Sequence, residues 1–416
     1  MAQLARRLTL SDAVIIGLGS MIGAGVFAVW APAAAAAGEW LLVGLAIAAL
    51  VAFANATASA QLAAAYPSSG GTYHYGREVL GPWWGFLAGW GFVVGKIASC
   101  AAMALTVAAY LAPPGWQRPV ATLVVAGLTA VNLRGVTRTA LLTRVIVAAV
   151  LVVLVLVVVV NLGAAGGPVL AVRSPATLDP YGVLQSAGLL FFAFAGYARI
   201  ATLGEEVIQP ERTIPRAIVG AFAIALAVYT AIGWSVLAVL GAESTAASRA
   251  PLAEAMVVAG AGWAEWLVRT GAGLAALGAL LALIAGLGRT LLAMARHHDV
   301  PSWMDAIHPR FQVPHRAELA VAAVVIGLVL LTDLRDAIGF SSFGVLLYYA
   351  VANLAAWRQA TNRRYPRWLH GVGLVGCLVL VATLPWLAIV TGVGVFAVGI
   401  GYRMLVLRVR RAGDAG

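Results

Sequence analysis

Charge is scarce in this 416-residue sequence: 16 Asp and Glu with 27 Lys and Arg make up 10% of it, against roughly 25% in soluble domains. So few charges cannot cover a water-facing surface of this length, which excludes an ordinary soluble protein. Cysteine is nearly missing, and Cys100 and Cys377 both fall in apolar runs. That excludes a disulfide framework and a cysteine metal pattern, and leaves structural thiols. The six histidines, His74, His297, His298, His308, His315 and His370, sit in or beside the loops assigned below to the cytoplasm. None joins Asp or Ser at membrane depth, so a membrane-embedded enzyme such as a lipid or acyl transferase is a remote alternative. His297 and His298 beside Asp299 read as a solvated loop rather than a metal site, and no cofactor is expected.

What is present is apolar. Hydrophobic residues make up 62% of the chain, glycine occurs 46 times and the mean hydropathy is +0.94. The natural solvent of such a chain is lipid. A net charge of +11 invites a nucleic-acid partner, but the basic residues are scattered between apolar runs instead of clustering on a polar face, so none is expected.

A membrane helix needs roughly 20 apolar residues, and twelve such runs occur, at about 12–38, 39–66, 80–111, 118–133, 139–162, 182–208, 215–241, 263–295, 317–332, 336–357, 367–384 and 386–408. The fold class is therefore an all-α integral membrane protein with about twelve spans. Arg6 and Arg7 ahead of an apolar stretch ending in APAAAAAG also fit the outline of a signal peptide, although the retained span is the favoured reading. Starting inside, the intracellular ends collect 19 of the 27 basic residues, which obeys the positive-inside rule. The expectation is a multi-pass cell-membrane (inner-membrane) protein with both termini cytoplasmic and no second domain.

Two spans carry breaks. The first contains GLGSMIGAG, Gly17–Gly25, where four glycines in nine residues each weaken a helix by roughly 1 kcal/mol. Five spans later FFAFAGYA, Phe191–Ala198, places Gly196 near mid-depth. Glycine-interrupted spans at matching places in two halves point to a carrier built from inverted repeats, with its solute at the breaks. An unwound segment bares N–H groups at one half-helix and carbonyls at the other, so it can hold an anion and a cation together. An α-amino acid carries both. Close helix packing through small residues is the plainer explanation of Gly19, Gly23 and Gly25 alone.

GLGSMIGAGVF, YPSSGGTYHYGREVLGPWWGFLAGW from Tyr66 to Trp90, and FFAFAGYARIATLGEEVIQPERTIPRAI from Phe191 to Ile218 together resemble the amino acid/polyamine/organocation superfamily of permeases. The third segment is most similar to its cationic-amino-acid-transporter-like branch. The resemblance implies a five-plus-five inverted-repeat fold in one membrane domain. Residues 1–162 would form the first repeat, 182–357 the second, and 367–408 two spans outside the core. It implies alternating access and a carboxylate held by the backbone of Gly23, Ala24 and Gly25. The ammonium would meet the carbonyls of Met21, Phe192 and Ala195. Phe194, Tyr197, Ser99, Leu283 and Ser341 would border the side-chain pocket.

Lys96, near the centre of the third span, costs roughly 2.5–3.5 kcal/mol to insert and is a functional residue by default. It would take up a proton or attract an anionic substrate group, unless it merely bonds carbonyls freed by the breaks. Proton-coupled members of the superfamily often carry a fifth-span lysine for coupling, and its counterpart here is Arg144. An arginine does not release its proton, so it would replace a sodium charge without shuttling protons. The eighth span reads LALIAGLGRT where a sodium site would want hydroxyls, and only Thr290 lies near, which disfavours sodium coupling. Glu205, Glu206 and Arg289 would form a cytoplasmic gate, or simply anchor span ends. The function expected is proton-coupled uptake of neutral or cationic amino acids, or alternatively amino acid or polyamine exchange. A neutral side chain suits the apolar lining better, and polyamines, lacking a carboxylate, suit it least.

Overall fold

A computed structural model describes residues 8–66, 71–135, 140–164, 177–204 and 206–414. The chain opens with α1 (Leu10–Ile22), α2 (Gly25–Ala28), α3 (Trp30–Ala37), α4 (Leu41–Ala65), α5 (Gly71–Leu80) and α6 (Pro82–Leu111). It continues with α7 (Gln117–Leu133), α8 (Ala140–Ala164), α9 (Pro180–Phe194), α10 (Ala198–Ala201), α11 (Pro210–Ala247) and α12 (Pro251–Val258). α13 (Glu265–Arg296), α14 (His315–Leu331), α15 (Leu334–Arg358), α16 (Arg367–Thr383) and α17 (Trp386–Asp414) complete it. Among the described residues nine helical runs are long and apolar enough to cross a bilayer, and Arg367–Thr383 is apolar but shorter. Helices are the expected answer to lipid, since they satisfy every backbone group within one segment.

Local sequence explains where the helices start. Thr9 and Asp12 form a reciprocal capping box at the head of α1, and Asp179 caps α9 through Tyr181 N–H at 3.0 Å. Pro82, Pro180, Pro210 and Pro251 occupy first-turn positions, where a missing N–H costs nothing. α11 runs on to Ala247, past the expected end of its span, and bends at Gly241, whose φ of 72° is open to glycine.

Burial sorts the helices into a centre and a perimeter. α6, α9 and α15 are mostly buried, whereas α8 and α17 turn much of their length outward, including Val152, Val155 and Val159 on α8. Lipid is as apolar as those side chains, so their exposure carries no penalty in a bilayer. One short main-chain link crosses the assembly: Leu8 N–H donates to Glu206 O at 3.0 Å and Ile208 N–H to Leu8 O at 3.0 Å. It forms an isolated parallel bridge between the residues before α1 and those after α10.

Candidate functional site

The first expected break is present, the second is a tightening of the helix without loss of its winding, and the two stretches touch. α1 stops at Ile22, Gly23 leaves the helical region with φ −28° and ψ −123°, and α2 starts afresh at Gly25. No side chain caps that restart, and the first N–H groups of any helix have no partner within it. α9 stops at Phe194, tightens through a 3₁₀ turn at Ala195–Tyr197 and resumes as α10. A Cβ on Gly196 would lie 2.5 Å from Met21 N and closer still to the Ser20 carbonyl, and one on Gly25 would lie 2.8 Å from Ala193 Cα. Only glycine lets the two backbones meet at these points.

The carbonyls exposed by the breaks are occupied from within. The Tyr229 hydroxyl, on α11, is 2.7 Å from Met21 O and 3.0 Å from Ala193 O, and its one hydrogen is shared between them. Phe192 O accepts the Ala195 N–H. Ala195 O accepts from Lys96 Nζ at 3.3 Å and from the Tyr349 hydroxyl at 3.3 Å. Beyond the first break, the Tyr110 hydroxyl donates to Phe27 O at 3.1 Å. The Tyr197 hydroxyl is buried beside Tyr349, with ring centroids 5.0 Å apart. Lys96 itself is buried, and among the described residues it forms no ion pair. Its place at a freed carbonyl is the arrangement that the sequence offered as a purely structural role.

The pocket residues named from the sequence divide. Ser99 and Ser341 are each buried and hydrogen-bond to one another at 2.7 Å, joining α6 to α15 beside Lys96. Phe194 turns instead toward α11, where it packs on Phe222 and Tyr229 at centroid distances of 5.5 and 5.0 Å. Leu283 is half-buried, while Ala279 and Ala275, one and two turns earlier on α13, are the residues that face Gly23.

Arg144 lies away from the breaks. Its guanidinium pairs with Asp12 at the head of α1, and the eleven residues from Asp12 to Gly23 correspond to roughly 16 Å of helix. The α8 residues that do approach the first break are Val147 and Val150. With Gly19, Ile22, Gly23, Ile146 and Ala275 they line a cavity of about 10 Å³, room for roughly one water. Of the gate residues, Glu205 lies outside the described residues. Glu206 and Arg289 form no ion pair among the described residues. The Glu206 carbonyl is held in the Leu8 bridge, and Arg289 is exposed on α13.

Asp299 corrects a second expectation. It is buried, not solvated: it accepts from the Tyr73 hydroxyl at 2.7 Å and Arg77 at 3.0 Å, and pairs with Arg403 of α17. Arg403 in turn lies over the rings of Trp83 and Phe86, 4.9 and 4.7 Å from their centroids. Burial, and then the Asp299 carboxylate, push the Tyr73 phenol above its ordinary value, so it stays a donor. Sequence reasoning also missed Tyr110, Tyr229 and Tyr349. The available signal was a single tyrosine in a largely apolar run for Tyr110 and Tyr229 and the Tyr348–Tyr349 pair for Tyr349, since a buried hydroxyl needs a partner.

The chain matches the amino acid permease family over residues 8–407. It is 57% identical to an uncharacterized transporter of Mycobacterium tuberculosis, over 100% of this chain and 95% of that protein. A branched-chain amino acid permease of Bacillus subtilis is 24% identical, over 93% of this chain and 90% of its own. A chloroplastic cationic amino acid transporter of Arabidopsis thaliana is 28% identical, over 87% of this chain and 67% of its own.

Proposed function

Because this chain belongs to the amino acid permease family, we propose that it is a secondary active transporter of amino acids that works by alternating access. Its core would be two inverted repeats, residues 1–162 and 182–357, in a cell membrane with both termini cytoplasmic. The observation that carries the reading is the direct contact of the broken helix with the tightened one in the buried centre, around Gly196 and Gly25. A zwitterion placed there would set its carboxylate on the N–H groups of Gly23, Ala24 and Gly25. Its ammonium would take the carbonyls of Met21, Phe192 and Ala195. Tyr229 and Lys96 hold two of these carbonyls now, so loading exchanges internal hydrogen bonds for bonds to the solute. That exchange limits the cost of leaving the breaks unloaded, because an orphaned buried carbonyl costs about 1–3 kcal/mol.

Proton coupling is preferred to sodium. The residues lining the cavity between α1, α8 and α13 are glycine, alanine, valine and isoleucine, so no hydroxyl or carboxylate side chain is there to help bind a hard cation. Arg144, engaged by Asp12, supplies no proton carrier, which leaves Lys96 as the ionisable group at the breaks.

The test is counterflow into proteoliposomes holding the purified protein, with a panel of labelled amino acids. A carrier accumulates label when unlabelled solute is trapped inside, and imposed proton and sodium gradients then separate the coupling ions. If no amino acid in the panel shows trans-stimulation, the reading is wrong. A channel would show flux without it.

A further inference from the structure

Ala195 O accepts from both Lys96 and Tyr349, and a carbonyl has two lone pairs. The acceptor is therefore full, and an incoming amine must displace one donor. Tyr349 is the rigid one, fixed between the rings of Tyr197 and Tyr348 at centroid distances of 5.0 Å each. Lys96 is the movable one, since its ammonium ends a flexible four-carbon stem. Once displaced it still arises from α6 beside the Ser99–Ser341 pair and stays within reach of the solute. No carboxylate among the described residues pairs with it, so its charge is felt by whatever lies alongside.

We propose that Lys96 is a specificity-determining residue, a tethered ammonium that restricts the site to α-amino acids whose side chains carry no positive charge. The proposal rests on the reading above, that an amino acid binds at the two breaks. The solute's own α-ammonium is offset by its carboxylate, whereas a second ammonium has no offset and faces Lys96. Two like charges about 7 Å apart at an effective dielectric constant near 20 weaken binding roughly 50-fold. The name of a cationic relative is therefore a poor guide to this chain's solute.

Isosteric pairs test this, because they change charge with little change in shape. Ornithine against norleucine and 2,4-diaminobutyrate against norvaline are compared as competitors of labelled leucine counterflow at pH 6, in wild type, Lys96→Met and Lys96→Arg. The expected result is at least a 20-fold preference for the uncharged member in wild type, retained in Lys96→Arg and reduced at least fivefold in Lys96→Met. Equal inhibition by both members in wild type overturns the proposal, as does an unchanged preference in a well-folded Lys96→Met. Should Lys96→Met fail to fold, the wild-type and Lys96→Arg preferences still decide. Loss of counterflow for every amino acid would refute the proposed function itself, a different outcome from counterflow that ignores side-chain charge.

Discussion

The contact between the two breaks makes a sharp prediction for Gly196→Ala. The added methyl would have Met21 N at 2.5 Å, with Ser20 C and O nearer still. All three are main-chain atoms, so no rotamer change relieves the clash, and α1 and α10 must separate by about 1 Å to restore ordinary contact at 3.4 Å. Overpacking of this kind costs about 1–3 kcal/mol, and the upper end applies because backbone must move on both sides. Separation also shifts Ala195 O relative to Lys96 and Tyr349, whose bonds to it are 3.3 Å each. The control is Gly286→Ala on α13, where a new Cβ meets nothing within 4 Å. There alanine should stabilise the helix by about 0.5–1 kcal/mol. The assay is thermal unfolding in detergent for both variants, with counterflow in proteoliposomes. Gly196→Ala should unfold several degrees below wild type and lose at least tenfold in initial rate, while Gly286→Ala matches or exceeds wild type in both. Wild-type stability and transport in Gly196→Ala would mean that the two breaks do not touch, and the argument for the site would fail.

Tyr229→Phe should lower stability by about 1–3 kcal/mol, because it strips Met21 O and Ala193 O of their shared donor. Melting curves check it, and an unchanged midpoint would show that another donor serves both carbonyls. Asp299→Asn should cost about 3–5 kcal/mol by leaving Arg77 and the buried Arg403 without a counter-charge, read as lost thermostability or as poor yield of folded protein. Arg144→Gln should change stability by no more than about 1 kcal/mol, since its side chain is 49% exposed. Uptake by that variant should remain pH-dependent, and abolition of the pH dependence would return Arg144 to the coupling path.

Features set by local chemistry were legible in the sequence. The glycines of GLGSMIGAG and FFAFAGYA marked both places, because glycine weakens a helix and lets two backbones approach, although α13 carries five glycines and stays continuous. Lys96 stood out for the same kind of reason, as one charge within an apolar span. The misreadings all concern partners distant in sequence. Arg144 reads as a residue of the fifth span's coupling position until α1 brings Asp12 to it. Asp299 reads as a solvated loop until α17, more than a hundred residues later, delivers Arg403. Tyr229 stands out as a tyrosine in a largely apolar run, which signals a buried hydroxyl but not that it reaches both spans.

The link between Leu8 and Val207 is made entirely of main-chain atoms, Leu8 N–H to Glu206 O and Ile208 N–H to Leu8 O. It ties the residues that lead into the first interrupted span to those that leave the second. Since no side chain takes part, the tie is indifferent to sequence drift at these positions, and proline at 8 or 208 is the replacement that removes one of its donors.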